Sequence, residues 1–167
     1  LELSALETDS RGRIVSSPRV LTANQKEAAI EQGTEIPYQE STSSGATNVE
    51  FKKAVLSLKV TPQITPDGRI QLRVQVNKDR PVFDPNFSVP SIDTKNIQTE
   101  VLVDNGGTVV IGGIYEEEET TGINRVPFLG ELPIIGALFR NTETVSNRSE
   151  LLIFITPRIV TESLTLR

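Results

Sequence analysis

Val55-Leu56-Ser57-Leu58-Lys59-Val60-Thr61-Pro62-Gln63-Ile64-Thr65-Pro66-Asp67-Gly68-Arg69-Ile70-Gln71-Leu72-Arg73-Val74-Gln75-Val76-Asn77 decides the fold class. In its first half Leu56, Leu58 and Val60 alternate with Ser57, Lys59 and Thr61. In its second half Ile70, Leu72, Val74 and Val76 alternate with Gln71, Arg73, Gln75 and Asn77. A period of two puts one set on each face of a strand, apolar against a core and polar against water. Between the halves stands Pro66-Asp67-Gly68. Proline presets φ, aspartate bonds back to the backbone and glycine takes positive φ, so the chain reverses there. The stretch predicts a β-hairpin and, with it, an all-β antiparallel fold.

Upstream, Glu27-Ala28-Ala29-Ile30 predicts a short strand ending at Gln32-Gly33, after a turn at Asn24-Gln25. Ile14–Ser17 and Arg19–Thr22 read as extended pieces broken by Pro18. Leu3 to Leu6 reads as the end of a short helix, closed by a turn at Arg11-Gly12-Arg13. Residues 39–48 are small and polar, which predicts a flexible tip. Downstream, residues 78–97 hold Pro81, Pro85 and Pro90 and read as loop. Thr99, Val101 and Val103 resume alternation, and Asn105-Gly106-Gly107 predicts a second hairpin into Thr108–Ile111, stopped by Gly112-Gly113. Glu116–Glu119 reads as a solvated acidic loop, and Leu151–Ile155 as a last strand.

Composition removes several classes of function. The chain has no Cys and no His, so thiolate chemistry, disulfides and Ser-His-Asp or Cys-His catalysis are excluded. No phosphate loop or dinucleotide fingerprint occurs, and Gly112-Gly113 lacks the following helix that such a motif needs. The reading is of a protein that is not an enzyme, with no metal and no cofactor. A net charge of -5 without a basic stripe argues against a nucleic-acid surface. No run approaches the roughly 18 apolar residues of a membrane helix. Any crossing of a bilayer by this chain must use strands closed into a barrel, since open sheet edges in lipid leave backbone unpaired. The first residue is Leu1 and no charged-then-apolar leader follows, which reads as a fragment or processed chain.

Three features need a physical reason. Ser17-Pro18-Arg19-Val20, Thr61-Pro62-Gln63-Ile64 and Thr156-Pro157-Arg158-Ile159 repeat one strand-with-proline pattern. Proline belongs at edges, bulges and strand ends, so these read either as ordinary edge strands or as strands that bend or change layer. Residues 126–140 contain two copies of one unit, Pro127-Phe128-Leu129-Gly130 and Pro133-Ile134-Ile135-Gly136. Phe128, Leu129, Leu132, Ile135 and Phe139 fall near helical spacing, while two prolines and two glycines forbid one long helix. Short helical turns with a large apolar surface follow, lying in a membrane interface, against a neighbouring subunit, or under a soluble core. The third feature is the pair of polar excursions, about 36–53 and 78–97. Loops of such length in a compact β domain are functional or simply mobile.

Taken together, these segments resemble the secretin family. The carrying residues are Ser17–Val20, Val60–Ile64, Val109-Val110-Ile111-Gly112-Gly113, Val126-Pro127-Phe128-Leu129-Gly130 through Gly136-Ala137-Leu138-Phe139-Arg140, and Leu152–Ile159. Ile36-Pro37-Tyr38-Gln39, Asn77-Lys78-Asp79 and Ile92-Asp93-Thr94-Lys95 are most similar to the type IV pilus members. The resemblance implies a homo-oligomeric, double-walled β-barrel in the bacterial outer membrane with periplasmic exposure. It implies that residues 1–167 are the C-terminal pore-forming domain, lacking its first part. It implies a gate at 36–53 and 78–97, with Pro37, Tyr38, Ser43, Ser44, Gly45 and Pro90 as candidates. It implies an amphipathic helical lip at 126–140, with Val126, Phe128, Leu129, Leu132, Ile134, Ile135, Leu138 and Phe139 toward lipid. Leu152 and Phe154 join them as lipid-facing strand candidates, since Trp is absent and aromatic girdles are missing. The implied partners are many copies of the chain, outer-membrane lipid, a pilus filament, a pilot lipoprotein and an inner-membrane alignment complex.

An argument independent of the resemblance also points to assembly. A barrel of roughly six to eight strands would have its interior filled by side chains. A wide channel needs strands from many copies, and joining them also removes exposed edges. Passage of a type IV pilus is the leading expectation. A type II channel for folded exoproteins and a soluble β-sandwich binding module stay open as alternatives.

Overall fold

A computed structural model of the protein describes residues 7–41, 47–86, 89–128, 130–131, 133 and 136–161. Six strands follow one another: β1 (Ala28–Ser41), β2 (Thr47–Ile64), β3 (Ile70–Val82), β4 (Ser91–Val103), β5 (Val109–Arg125) and β6 (Arg140–Ile155). A 3₁₀ turn, Gly136–Phe139, precedes β6. β1-β2-β3-β4 form one sheet and β5-β6 another. The chain divides into two compact units, one of residues up to Gln63 with Leu72–Glu100, the other of Ile64–Gln71 with Val101 onward.

The deciding hairpin folds as its residues dictate. β2 ends at Ile64, β3 begins at Ile70, and Gly68 takes φ +84° in the turn between them. Gly68 N donates to the Thr65 carbonyl at 3.0 Å, and Thr65 N to the Arg69 carbonyl at 2.9 Å. Asp67 accepts from the Thr65 hydroxyl and from Arg69, whose Nε lies 2.7 Å away. These bonds hold the Asp67 carboxyl at about 2, below its ordinary value. Ile70, Leu72 and Val74 are buried in alternation, with Arg73 exposed between them.

Elsewhere the strands run further than composition predicts. β1 does not stop at Gln32-Gly33 but continues to Ser41. Gly33 lies opposite Val55, and a Cβ there would sit 2.2 Å from the Ala54 carbonyl oxygen, so glycine permits a close strand approach. The described polar residues at either end of 39–48 pair as well, Gln39 with Val49 and Ser41 with Thr47. In 78–97, β3 extends to Val82 and β4 begins at Ser91, so the loop is far shorter than expected. Cross-strand pairing overrides weak local preference in both cases.

The second predicted hairpin is corrected. Gly106 takes φ +77° and Gly107 N donates to the Asp104 carbonyl, so the turn exists. The strands on either side of it do not pair: β4 lies in the first sheet and β5 pairs with β6. β5 also passes through Gly112-Gly113 with an irregularity between Val110 and Gly112. It continues through Glu116–Glu119, which are strand, with Glu117 opposite Arg148 and bonded to it at 3.0 Å. β6 starts at Arg140, well before the apolar Leu151–Ile155.

The proline motifs anchor turns. Gln25, in a tight turn at φ 61°, donates its N–H to the Pro62 carbonyl at 2.7 Å. Gly106 N donates to the Pro157 carbonyl at 2.8 Å, and Ile159 N to Asn105 Oδ1. Proline has no N–H to give, but its carbonyl accepts. Residues 14–21 are exposed and form no strand, and the expected helix end at Leu3–Leu6 lies outside the described residues.

Candidate functional site: the hairpin tip and the lip

The β1–β2 hairpin carries the gate candidates. Pairing holds as far as Ser41 and Thr47, with Pro37 opposite Phe51 and Tyr38 opposite Glu50. β1 is an edge strand, so the missing N–H of Pro37 costs no ladder bond on its free side. Pro37 is exposed and Tyr38 half-buried. Ser43, Ser44 and Gly45 lie outside the described residues. Pro90 is buried, and its carbonyl accepts from Lys52 Nζ at 3.5 Å. Lys52 pairs with Ile36 and neighbours Phe51, so the end of the second excursion is tied to the root of the first.

Two further residues shape this hairpin. Asp79 accepts from the backbone N–H of Val55 at 3.4 Å and from Asn77 Nδ2 at 2.9 Å. Gly33 lies opposite that same Val55. Asn77-Lys78-Asp79 is visible in the sequence as a motif, but nothing local says that its carboxylate reaches β2. Gly33 reads locally as a strand end. Its role depends on the partner strand.

The lip closes the far end of the β5–β6 hairpin. Val126 N donates to the Phe139 carbonyl at 3.0 Å, and Gly130 N to the Val126 carbonyl at 2.9 Å. Gly130 and Gly136 are both buried. A Cβ on Gly136 would sit 2.9 Å from the Gly130 oxygen, and one on Gly130 would sit 2.8 Å from Arg125 Cβ. The repeated Pro-x-x-Gly unit therefore supplies two glycines that pack backbone on backbone. Phe128 is 90% exposed at φ 66°, a region aromatic residues rarely occupy. Val126 and Phe139 are also exposed. Among the described residues the helical part of the lip is the 3₁₀ turn alone. Leu138 lies in that turn, while Leu129, Leu132, Ile134 and Ile135 lie outside the described residues.

The register sorts the β5–β6 hairpin into two faces. On one, Arg125/Arg140, Ile123/Thr142, Thr121/Thr144, Glu119/Ser146, Glu117/Arg148 and Tyr115/Glu150 follow in order from the lip, and Leu152 and Phe154 come last. On the other, Leu151, Ile153 and Ile155 are half-buried at the base, with Glu118, Glu116 and Glu143 nearer the lip. At ~3.3 Å per residue the strand from Arg140 to Leu152 spans about 40 Å.

This arrangement has known counterparts. A family profile described as "Secretin: Bacterial type II and III secretion system protein" matches residues 5–161. The "Fimbrial assembly protein PilQ" of Pseudomonas aeruginosa PAO1 is 48% identical over 161 residues, 96% of this chain and 22% of that protein. The cryo-EM structure of the Vibrio cholerae type IV competence pilus secretin PilQ superposes with a TM-score of 0.65 at 56% identity, covering 88% of this chain and 36% of that one. A pilotin–secretin complex of enterotoxigenic Escherichia coli, AspS–GspD, superposes at 0.66 with 28% identity, covering 84% of this chain and 27% of that one. The chain thus spans about a fifth of the curated relative's length, and its sequence identity is greater to the pilus protein than to the type II protein. With the profile match running from before the first proline motif to beyond the last, and with the antiparallel sheets and twin-glycine lip in place, the chain belongs to the secretin family.

Proposed function

We propose that the chain is the pore-forming part of an outer-membrane secretin, assembled from many copies, through which a type IV pilus passes. The observation that carries this reading is the mismatch between core and surface. Among the described residues the buried apolar core is Ala54, Val60, Ile70, Leu72, Val74 and Val103. Against it stand exposed Phe51, Phe83, Val110, Tyr115, Ile123, Phe128, Leu152 and Phe154. A single copy leaves more large apolar side chains in water than it buries, and it has unpaired sheet edges at β1 and β4. Lateral joining of copies pairs the edges and covers the faces. The greater identity to pilus secretins favours a pilus over secreted exoproteins as cargo. A pilot lipoprotein is a fitting partner because a relative is seen with a pilotin. An inner-membrane alignment complex completes the proposed set of partners. The chain acts as a conduit and not as an enzyme.

In this reading the β1–β2 tip, with Ser43, Ser44 and Gly45, forms the gate, braced by Pro37, Tyr38 and the Lys52–Pro90 tie. The lip at 126–140 meets outer-membrane lipid. Leu152 and Phe154 fall outside that lipid band. Their ~40 Å distance from the lip, even on a strand tilted ~40°, exceeds the ~25 Å apolar height of outer-membrane barrels. Deleting residues 41–47 from the full-length protein is expected to preserve multimers while raising entry of a bulky antibiotic several-fold. The check is growth inhibition in a strain carrying the deletion. Unchanged sensitivity with normal multimers would reject the gate.

A further inference from the structure

We propose that Arg125 and Arg140 form one site for the phosphate of an anionic outer-membrane lipid. The proposal deepens the reading that the lip meets lipid, and rests on it. The two arginines are register partners at the root of the lip. Val126 and Phe139 are bonded across the next rung. By the alternation of antiparallel ladders, Arg125/Arg140 is then a non-hydrogen-bonded pair, the kind whose side chains stand closest. Like charges directly opposite destabilise a sheet unless something neutral or negative intervenes. Glu131 meets Arg125 at 3.4 Å, which answers one of the two charges. Among the described residues Arg140 has no ion-pair partner and is exposed. The pair therefore carries an uncompensated positive charge in a chain of net charge -5.

Its surroundings specify the ligand. On the same face, moving away from the lip, the next rungs are Ile123/Thr142 and Thr121/Thr144, and no charge recurs until Glu119. At ~3.3 Å per residue these two uncharged rungs set the Arg125 and Glu119 rungs about 20 Å apart. Arg125 and Arg140 thus sit where this uncharged band of Ile123 and three threonines gives way to the lip, beside the exposed apolar side chains of Val126, Phe128 and Phe139. Two guanidiniums on one rung offer N–H donors matched to a phosphate. A lipid supplies that phosphate with acyl chains running along the uncharged band. A soluble anion would gain nothing from the band.

The test uses full-length multimers reconstituted in bilayers of equal phosphatidylglycerol and phosphatidylcholine, then washed with mild detergent, with retained lipids counted by mass spectrometry. The wild type is expected to retain phosphatidylglycerol enriched about tenfold, as befits charge-assisted bonds from two arginines. Arg140→Gln should remove most of that enrichment without lowering retained phosphatidylcholine, and Arg140→Lys should keep part of it. Millimolar inorganic phosphate should not displace the lipid. Full enrichment in a correctly assembled Arg140→Gln multimer, or displacement by inorganic phosphate, would overturn the site. Phe128→Ser separates the two readings: it should lower retention of both lipids while keeping their ratio. Wild-type multimers that hold neither lipid would defeat the lip reading and this site together.

Discussion

Val74→Asp is expected to abolish assembly of the full-length protein into stable multimers. Val74 is 1% exposed, the largest fully buried side chain among the described residues. It stands on β3 between Leu72 and Val76, on the strand whose alternation defines the hairpin. No polar side chain is buried among the described residues, so a carboxylate at this position finds no donor. Leaving a buried charge unpaired costs roughly 3–5 kcal/mol, a large share of the ~5–15 kcal/mol that holds a domain together. Leu72→Asp should behave the same way. Lys59→Gln, at an exposed position on β2, should change stability by less than about 0.5 kcal/mol. Gel migration of heat-treated membrane extracts reads the result. Abundant heat-resistant multimers of Val74→Asp would show that this face is not packed inside the wall.

Gly33→Ala should have the second-largest effect, through backbone geometry. The added methyl would sit 2.2 Å from the Ala54 oxygen and 2.7 Å from Val55 Cα. Both are backbone atoms of the paired strand, so no side chain can swing aside. The strands must separate, loosening the Gly33–Val55 rung and the Val55–Asp79 bond beside it. Overpacking of this kind costs roughly 1–3 kcal/mol. The expected outcome is faster amide exchange along β1 and β2 toward Ser41 and Thr47, together with a leaky channel. Gly12→Ala is the control, since nothing lies within 4 Å of its added carbon. Exchange rates equal to wild type in Gly33→Ala would mean that the close approach does not set this pairing.

The parts of the fold that were legible in the sequence are those where one face is apolar. The Leu56–Val76 hairpin has alternation and a turn signal, with burial agreeing at Val60, Ile70, Leu72 and Val74, and it folds as read. β5 beyond Tyr115 and β6 before Leu151 were illegible because both of their faces are polar. Glu116–Glu119 opposite Ser149–Ser146 offers no hydrophobic period, so only the cross-strand register reveals the strands. The Asn105-Gly106-Gly107 signal correctly marks a turn, but a turn does not say that its flanking strands pair. Gly33 and Gly112-Gly113 were misread as stops, because local preference cannot see a partner backbone. The lip was the reverse case. Its repeated Pro-x-x-Gly unit was conspicuous, yet the reason for the glycines is a contact between Gly130 and Gly136 that spacing alone does not show.

In the proposed assembly this chain forms its channel only as a wall shared among many copies. Its most direct test is single-particle imaging of the full-length protein, extracted from membranes in mild detergent. Closed rings with a central plug are expected, with β5–β6 hairpins running side by side around the wall and the detergent belt at residues 126–140. A compact monomer that stays soluble without detergent would contradict it.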